Sequence, residues 1–222
     1  MTTRDSALLE EIVEAAHEAH RERLIVVTSG NISARLESDD VIAISGTRTR
    51  LGTLKRDEIV AIGLDDAEPR PGLLGERENA RPSSETPLHV TLYRRSPKVR
   101  AVLHFQSLAG TYYACRDAPM PNLNVIPELP VYIGKVAQTP FVAPNTFEIA
   151  EVAAEAFEDP DVHIVQLGNH GQVVIGDSPG QAVERAAFFE LACRLCLMSE
   201  TRGPLRPFTE TELAVLSSYG KR

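Results

Sequence analysis

A glutamate, a glutamine and three histidines stand where their side chains could converge on a metal ion. Glu85 follows two serines at the start of a predicted helix, and His89 comes one helical turn later on the same face. His104 and Gln106 lie two residues apart at the end of a predicted strand, so both should point the same way. His170 occupies a tight turn between two predicted strands. Imidazole nitrogens and a carboxylate suit a divalent metal, although spacing alone favours a structural role for any single histidine.

Three short segments rich in serine and glycine predict an anion site. They are TSGNIS (28–33), ISGT (44–47) and RPSSE (81–85), and each lies at a strand end or a helix start in our prediction. Backbone N–H groups at such places lack partners and can bind a phosphate. Any one segment could be an ordinary turn or cap, so the prediction depends on all three occurring together. The sequence contains neither a P-loop nor a GxGxxG fingerprint, which argues against a nucleotide.

Other reactive side chains are assigned to structural roles. His17 and His20 lie among Glu and Arg residues of the first predicted helix and should face solvent. Cys193 and Cys196 form a CxxC inside a long predicted helix, where this spacing gives one packed face rather than a redox site. With Cys115 they make an odd, sparse set, which favours a reducing cytoplasm over a disulfide framework.

Helices and short strands that alternate along the chain must position these residues. Helices are predicted at 5–22, 86–96, 107–116, 147–157, 180–200 and 209–218. Strands are predicted at 25–30, 41–46, 99–105, 162–168 and 172–176. This alternation predicts one α/β domain over residues 1–222, with about 203–222 as a C-terminal arm. The Pro/Gly-rich segment 64–84 is interpreted as a surface connection that ends at the site.

Charge and composition exclude several classes of function. The 222 residues are 43% hydrophobic and carry a formal net charge of −8, without a Lys/Arg-rich run. A nucleic-acid partner is therefore not expected. No apolar run approaches the roughly 20 residues of a membrane helix, and the first residues do not look like a secretory signal. We expect no membrane association and a cytoplasmic location.

The order of these blocks resembles the class II aldolase/adducin family, and within it the L-fuculose-phosphate aldolase type. The likeness extends from TSGNISARL through RPSSETPLHVTLYRR, VRAVLHFQS and PFVAPNTFEIAEVAAEAF to LGNHGQVVIG and the final YG. It implies a three-layer αβα fold with a largely antiparallel central sheet. It also implies a homotetramer with its sites at subunit boundaries.

The resemblance also implies roles for individual residues. The catalytic glutamate matches Glu85, and a C-terminal catalytic tyrosine matches Tyr219. The metal ligands match His104 and His170, while Gln106 stands where the family has the second histidine of an HxH element. A tyrosine from the neighbouring subunit has no clear match, although Glu128 and Tyr132 lie near its place in the sequence. The elements that hold the substrate phosphate match Gly30, Asn31, Ser45, Gly46, Ser83 and Ser84.

The implied activity is that of a metal-dependent lyase. One divalent ion per subunit, zinc first and Mn, Co or Mg because of Gln106, would support aldol cleavage of a small phosphorylated ketose through an enediolate. Glu85 would carry protons, and Tyr219 would protonate the aldehyde oxygen. A decarboxylase or epimerase using the same chemistry is one alternative. A non-catalytic adducin-like assembly domain is another, but it has no chemical reason to keep Glu85, His104 and His170 together.

Overall fold

The computed structural model describes residues 2–219, which form a seven-stranded sheet with helices on both faces. The strands are β1 Asn31–Arg35, β2 Val41–Ser45, β3 Ile59–Gly63, β4 Ala101–Phe105, β5 Lys135–Thr139, β6 Val162–Leu167 and β7 Gly171–Gly176. The helices are α1 Thr3–Arg21, α2 Thr86–Arg95, α3 Leu108–Ala114, α4 Phe147–Ala156, α5 Pro179–Arg202 and α6 Glu210–Ser217. A π-helical segment, Leu129–Ile133, precedes β5.

The sheet is largely antiparallel, as predicted. Its strand order is β3-β2-β1-β4-β7-β6-β5, and only the pair β5 and β6 is parallel. The centre of the sheet is therefore β1, β4 and β7, three strands that come from distant parts of the chain. Asn31 pairs with His104 across β1 and β4, and His104 pairs with Val173 across β4 and β7.

Two hydrophobic cores lie on the two faces of the sheet, which gives the predicted three layers. Leu103 and Phe105 of β4 pack in the core that includes buried residues of α1 and α5. Val102 packs in the other core, together with buried residues of α2 and α4. Since alternate residues point to opposite faces, His104 projects toward the face that α2 covers.

The first predicted strand, 25–30, is wrong. This segment is a turn, with Val26 and Val27 each 58% exposed, and Val27 has a φ of 56°. The strand starts only at Asn31, so Gly30 and Asn31 stand at the beginning of a strand and do not follow one. Hydrophobic β-branched residues signal a strand only where a sheet face receives them, and here solvent surrounds the two valines.

Besides β1, the strands β3 and β5 also lie where the sequence predicts no strand. The sequence of β3, IVAIG, is buried throughout and fits a strand, but it lies next to the charged 64–84 connection. The sequence of β5, KVAQT, lies at the edge of the sheet and is mostly exposed or half-buried. An exposed edge strand carries little hydrophobic pattern, so its existence depends on pairing with β6.

The predicted C-terminal arm follows the end of α5. Gly203, with a φ of 114°, ends that helix, and Phe208 donates its N–H to the Asn124 carbonyl. Helix α6 then packs against the π-helical segment. Of the helices within residues 2–219, none is long and apolar enough to cross a membrane.

Candidate active site

Glu85, His104 and His170 meet at one end of the central strands. Glu85 precedes the first turn of α2, His104 lies near the end of β4, and His170 lies in the turn between β6 and β7. Nε2 of His104 is 3.4 Å from Oε2 of Glu85, and Nε2 of His170 is 3.7 Å from Oε1 of Glu85. One ligand atom from each side chain lies within 4.8 Å of the others. The sequence prediction placed these three residues together, and the structure does so.

A hydrogen bond to His104 determines the tautomer of its ring, and therefore which ring nitrogen can bind a metal. Nδ1 lies 2.9 Å from the Gln172 carbonyl oxygen, which can only accept, so Nδ1 carries the proton. Nε2 then turns a lone pair toward the carboxylate of Glu85, and two acceptors face each other. Oε2 of Glu85 and Nδ1 of His170 are enclosed polar atoms without a hydrogen-bond partner in the described part of the chain. A divalent cation fits this donor set, since it would satisfy Nε2 of His104 and Oε2 of Glu85 at once.

Burial sets the protonation of the cluster. It lowers the pKa of His104 to about 4, although the Gln172 carbonyl opposes the change. Burial, assisted by His104, also lowers the pKa of His170, and Glu85 opposes that shift. Burial raises the pKa of Glu85, and the neighbouring His170 opposes this rise. Both imidazoles are therefore neutral near pH 7, which is the form that binds metals, and the carboxyl group can hold a proton.

Gln106 lies beside the same cluster. It is half-buried directly after β4, and its backbone N–H donates to the Leu24 carbonyl. A Cβ added to Gly171 would come within 2.7 Å of the Gln106 Cγ and 3.4 Å of the His104 Cε1. The side chains of Gln106 and His104 thus approach the same glycine, as their spacing predicts. Coordination of a metal by Gln106 stays a prediction.

Asn31, at the start of β1, is hydrogen-bonded by His89 of α2. Nε2 of His89 hydrogen-bonds Oδ1 of Asn31, and Nδ1 of His89 lies 2.6 Å from Oγ of Ser33. Oγ of Ser33 is in turn 2.9 Å from the hydroxyl of Tyr93. Burial lowers the pKa of His89 to about 3, so the imidazole is neutral. The one-turn spacing from Glu85 therefore leads His89 to Asn31 and not to the metal cluster.

The other predicted phosphate residues lie around Asn31 but differ in access. Ser45 is fully buried, and its Oγ accepts the Ile32 N–H at 3.2 Å. Gly46 donates its N–H to the Glu58 carbonyl and bridges to Pro82, which brings the ISGT and RPSSE segments together. A Cβ at Gly46 would come within 2.8 Å of the Glu58 oxygen, so this close approach requires glycine.

Ser83 and Ser84 are more accessible than Ser45. Oγ of Ser83 accepts the Glu85 N–H at 3.2 Å and the residue is 7% exposed, whereas Ser84 is exposed. Gly30 has a φ of 102°, and a Cβ there would come within 2.9 Å of the His104 carbonyl oxygen. Gly30 therefore allows the turn before β1 to pass close to β4. Direct donors to an anion are best sought at Asn31, Ser83 and Ser84.

Within the described residues, no hydrogen bond joins Tyr219 to the site side chains described above. Tyr219 is 59% exposed, and its backbone N–H caps the end of α6 by donating to Leu216. Tyr132, one of the two residues near the family's missing tyrosine, stacks on Phe188 at a centroid distance of 5.9 Å. The catalytic role of Tyr219 stays a prediction, as does any role for Glu128 or Tyr132.

The side chains assigned to structural roles are largely where the sequence placed them. Cys193 and Cys196 are free thiols buried in α5, and burial raises the pKa of both. His20 is exposed, but His17 is half-buried and its Nε2 lies 3.0 Å from the Leu54 carbonyl oxygen. His17 thus stabilises the contact of α1 with the segment after β2.

Sequence reasoning missed the residues that support the site from behind. Neither the motif TSGNIS, which contains Ser33, nor the positions of Tyr93 and Gln172 predict these supporting contacts, because the contacts depend on the pairing of β1 with β4 and of β4 with β7. A signal for Ser33 did exist: polar residues alternate with apolar ones along NISAR, on a strand buried throughout. A buried polar face requires partners on the element that covers it.

Proteins that the sequence resembles include decarboxylases and aldolases. The 3-oxo-tetronate 4-phosphate decarboxylase of Haemophilus influenzae is 27% identical over 220 residues, covering 98% of this chain and 99% of the relative. The L-fuculose phosphate aldolase of Methanococcus vannielii is 25% identical over 187 residues, covering 84% of this chain and 94% of the relative. A solved structure of L-fuculose 1-phosphate aldolase has a TM-score of 0.84 at 21% identity, covering 98% of this chain and 97% of that chain.

The family assignment follows from the match of the chain as a whole. Residues 10–197 match the family described as Class II Aldolase and Adducin N-terminal domain. This range contains every strand of the sheet and the cluster of Glu85, His104 and His170. The chain belongs to the class II aldolase and adducin N-terminal domain family.

Proposed function

We propose that the chain is a metal-dependent carbon–carbon lyase that decarboxylates a small 3-oxo sugar-acid phosphate. The proposal rests on the cluster of Glu85, His104 and His170. In this cluster hydrogen-bond acceptors face one another, an arrangement that fits a divalent cation. The full-length similarity to 3-oxo-tetronate 4-phosphate decarboxylases supports decarboxylation over aldol cleavage, the activity predicted first from the sequence. A pure assembly domain would have no use for this buried, unbalanced cluster.

The hydrogen bonds around Asn31 support a phosphate-binding role. Oδ1 of Asn31 and Oγ of Ser83 both accept from protein donors, His89 and the Glu85 N–H. Each residue also keeps a donor, the amide NH₂ of Asn31 and the hydroxyl hydrogen of Ser83. A phosphate only accepts, so these groups match it and would reject a cationic ligand. Ser84, beside them at the surface, can add a third donor.

A bound divalent cation, held by His104, His170 and Glu85 or Gln106, would act as a Lewis acid and stabilise the negative charge that develops on the substrate's oxo oxygen. The carboxylate carbon leaves as CO₂, and its bonding electron pair stays on the adjacent carbon. Glu85, whose pKa burial raises, holds the proton that this carbon then takes up. The phosphate cradle orients the substrate so that the reacting bond lies at the cluster.

Aldol cleavage of a ketose 1-phosphate is the second candidate, favoured by the similarity to L-fuculose phosphate aldolases. Both reactions break a carbon–carbon bond next to the carbon that ends as an enediolate. They differ in the leaving fragment, which is CO₂ in one and an aldehyde in the other. Only aldehyde release uses an acid or base at the second fragment's oxygen, which is the role predicted for Tyr219. Epimerisation would proceed by the same cleavage followed by rebonding.

The test is a direct comparison of the two reactions. The purified protein is stripped with a chelator, reloaded separately with Zn, Mn, Co or Mg, and supplied with a 3-oxo acid 4-phosphate or a panel of ketose 1-phosphates. We expect metal-dependent CO₂ release together with a hydroxyketone phosphate, and a much lower kcat/KM for ketose cleavage. Faster cleavage of a ketose phosphate would assign the chain to the aldolases instead. No reaction with any metal would remove the lyase proposal.

Assembly into a homotetramer with sites at subunit boundaries is part of this proposal. The residues beside the site include strongly exposed apolar side chains, Val26, Val27 and Leu108 at 58%, 58% and 75% exposure. Such side chains are more stable when a second copy covers them. Light scattering of the purified protein tests this assembly, and Tyr219→Phe tests whether the arm contributes an acid. We expect Tyr219→Phe to leave decarboxylation nearly unchanged.

A further inference from the structure

The side chains behind Asn31 form a continuous buried chain of hydrogen bonds. It runs from the Tyr93 hydroxyl to Oγ of Ser33, on to the His89 ring, and ends at Oδ1 of Asn31. Ser33 and His89 are 0% exposed and Tyr93 is 1% exposed, so water does not compete for these contacts. Neither the metal cluster nor the proposed proton transfer uses any of the three.

Counting hydrogens gives this chain a direction. Within the described residues, the Tyr93 hydroxyl has one available acceptor, Oγ of Ser33. If Tyr93 donates there, the Ser33 hydroxyl must donate to Nδ1 of His89, and the proton of the neutral ring stands on Nε2. Nε2 then donates to Oδ1 of Asn31. The reverse order would leave the buried Tyr93 hydroxyl without an acceptor, which is costly.

The direction of these hydrogen bonds determines which end of the Asn31 amide contacts His89. With Oδ1 held by His89, the amino group is the end that remains for a ligand. Among residues 2–219 that amino group has no hydrogen-bond partner, and it is not one of the fully enclosed polar atoms. Asn31 is nevertheless only 6% exposed, so the free donor belongs to a residue that is otherwise buried.

We propose that His89 is a positioning residue, which holds the Asn31 side chain with its amino group toward the phosphate of the substrate. This inference rests on the proposed phosphate role of Asn31 and extends it to the residues that enforce it. Ser33 and Tyr93 act through His89 by fixing the tautomer that donates from Nε2. Without them, the ring could protonate on Nδ1, the amide would rotate, and a carbonyl oxygen would face the anion.

The experiment measures binding of inorganic phosphate to the metal-stripped protein by titration calorimetry. We expect His89→Leu to raise the Kd about tenfold or more, the usual loss when a hydrogen bond to a charged group is removed. His89→Gln, whose amide nitrogen can take the place of Nε2, should stay within about threefold of the wild type. His163→Leu is the matched control, because His163 bonds the Ile133 carbonyl far along the chain from Asn31. It should leave the Kd unchanged.

A double-mutant cycle separates positioning from general damage. If His89 acts through Asn31, His89→Leu should have no further effect on the Kd in an Asn31→Ala protein. An equal loss in both backgrounds overturns the positioning role, as does a wild-type Kd for His89→Leu. If Asn31→Ala itself leaves the Kd unchanged, the phosphate cradle is wrong and the role of His89 falls with it. A loss for Asn31→Ala without one for His89→Leu removes only the role of His89.

Two measurements keep the proposal testable if His89→Leu does not fold. The ¹⁵N NMR signals of the wild-type protein, assigned against His89→Gln, report which nitrogen of His89 is protonated. Protonation on Nε2 supports the proposal, and protonation on Nδ1 overturns it. Ser33→Ala, a smaller change, should raise the Kd for phosphate severalfold and shift the ring toward Nδ1 protonation. An unchanged Kd together with an unchanged tautomer in Ser33→Ala would overturn the role of Ser33 and Tyr93.

Discussion

The two halves of the candidate site are built on opposite hydrogen-bonding principles. In the metal half, acceptors face one another: Nε2 of His104 and Oε2 of Glu85 are 3.4 Å apart, and the glutamate oxygen lacks a partner in the described chain. In the anion half, Asn31 and Ser83 each accept from a protein donor and keep a donor free. In the proposed function, the first half is completed by a cation, whereas the second is preorganised before an anion binds.

The difference shows where each half can tolerate change. The metal half depends on a bound ion to offset the burial of Glu85 and two imidazoles, so a change there alters both stability and chemistry. The anion half is stable by itself, so a change there should mainly affect the binding of substrate. Four predictions test this contrast, in order of decreasing effect.

Glu85→Gln should lower kcat for decarboxylation by a factor on the order of 10² to 10⁴, the usual contribution of a proton-transferring group. The amide keeps the size of the side chain but cannot carry the proton. KM should change little, since the phosphate donors are intact. Steady-state kinetics on protein of measured metal content provide the check. A kcat near the wild-type value in fully loaded enzyme would mean that Glu85 is a ligand without a role in proton transfer.

Replacement of both Ser83 and Ser84 by Ala should raise KM for the phosphorylated substrate by about tenfold to a hundredfold, with a small effect on kcat. The serines bind the phosphate equally in the ground state and in the transition state. Loss of these contacts should therefore raise KM and leave kcat almost unchanged. Ser84→Ala alone is the matched control, because it leaves the Ser83 contact with the Glu85 N–H intact. An unchanged KM, with equal turnover of substrates lacking the phosphate, contradicts the cradle.

Gln106→His should tighten zinc binding by on the order of tenfold, the scale on which neighbouring groups tune metal sites, and should slow the native reaction. This expectation assumes that the amide oxygen has adapted the site to a harder ion or to a reaction other than aldol cleavage. Titration of both proteins with Zn and Mn, followed by activity measurements with each metal, checks it. Equal affinities and equal rates would mean that residue 106 does not touch the metal.

The smallest effect is one of stability without metal. In chelator, at a pH where Glu85 is ionised, Glu85→Gln should be more stable than the wild type by about 1 kcal/mol, because the amide can donate to the His104 lone pair that the carboxylate faces. Chemical denaturation of both proteins in chelator measures this difference. Ser84→Ala should show no comparable gain in the free energy of unfolding. A gain in that variant would contradict the proposed difference between the metal half and the anion half.

The sequence predicts the fold class and the grouping of three site residues, but not the bounds of every strand. Glu85, His104 and His170 could be grouped because each stands at the end of an element, where residue type and spacing are informative. The sequence predicts a strand in the segment before Asn31, because Val26 and Val27 have strand-forming side chains, but these side chains are exposed and pack on no sheet. The edge strand β5 and the partners of His89 depend on contacts between distant segments, and no local pattern encodes these contacts.

The pairing of β1, β4 and β7 has a consequence for how the protein folds. Asn31 pairs with His104, and His104 with Val173, so each pairing joins residues roughly 70 positions apart along the chain. Closing such long loops is entropically costly and slows the search for the native topology. Glu85, His104 and His170 meet only after both pairings exist. Metal uptake during refolding should therefore coincide with the final, cooperative step and should not accelerate the earlier ones.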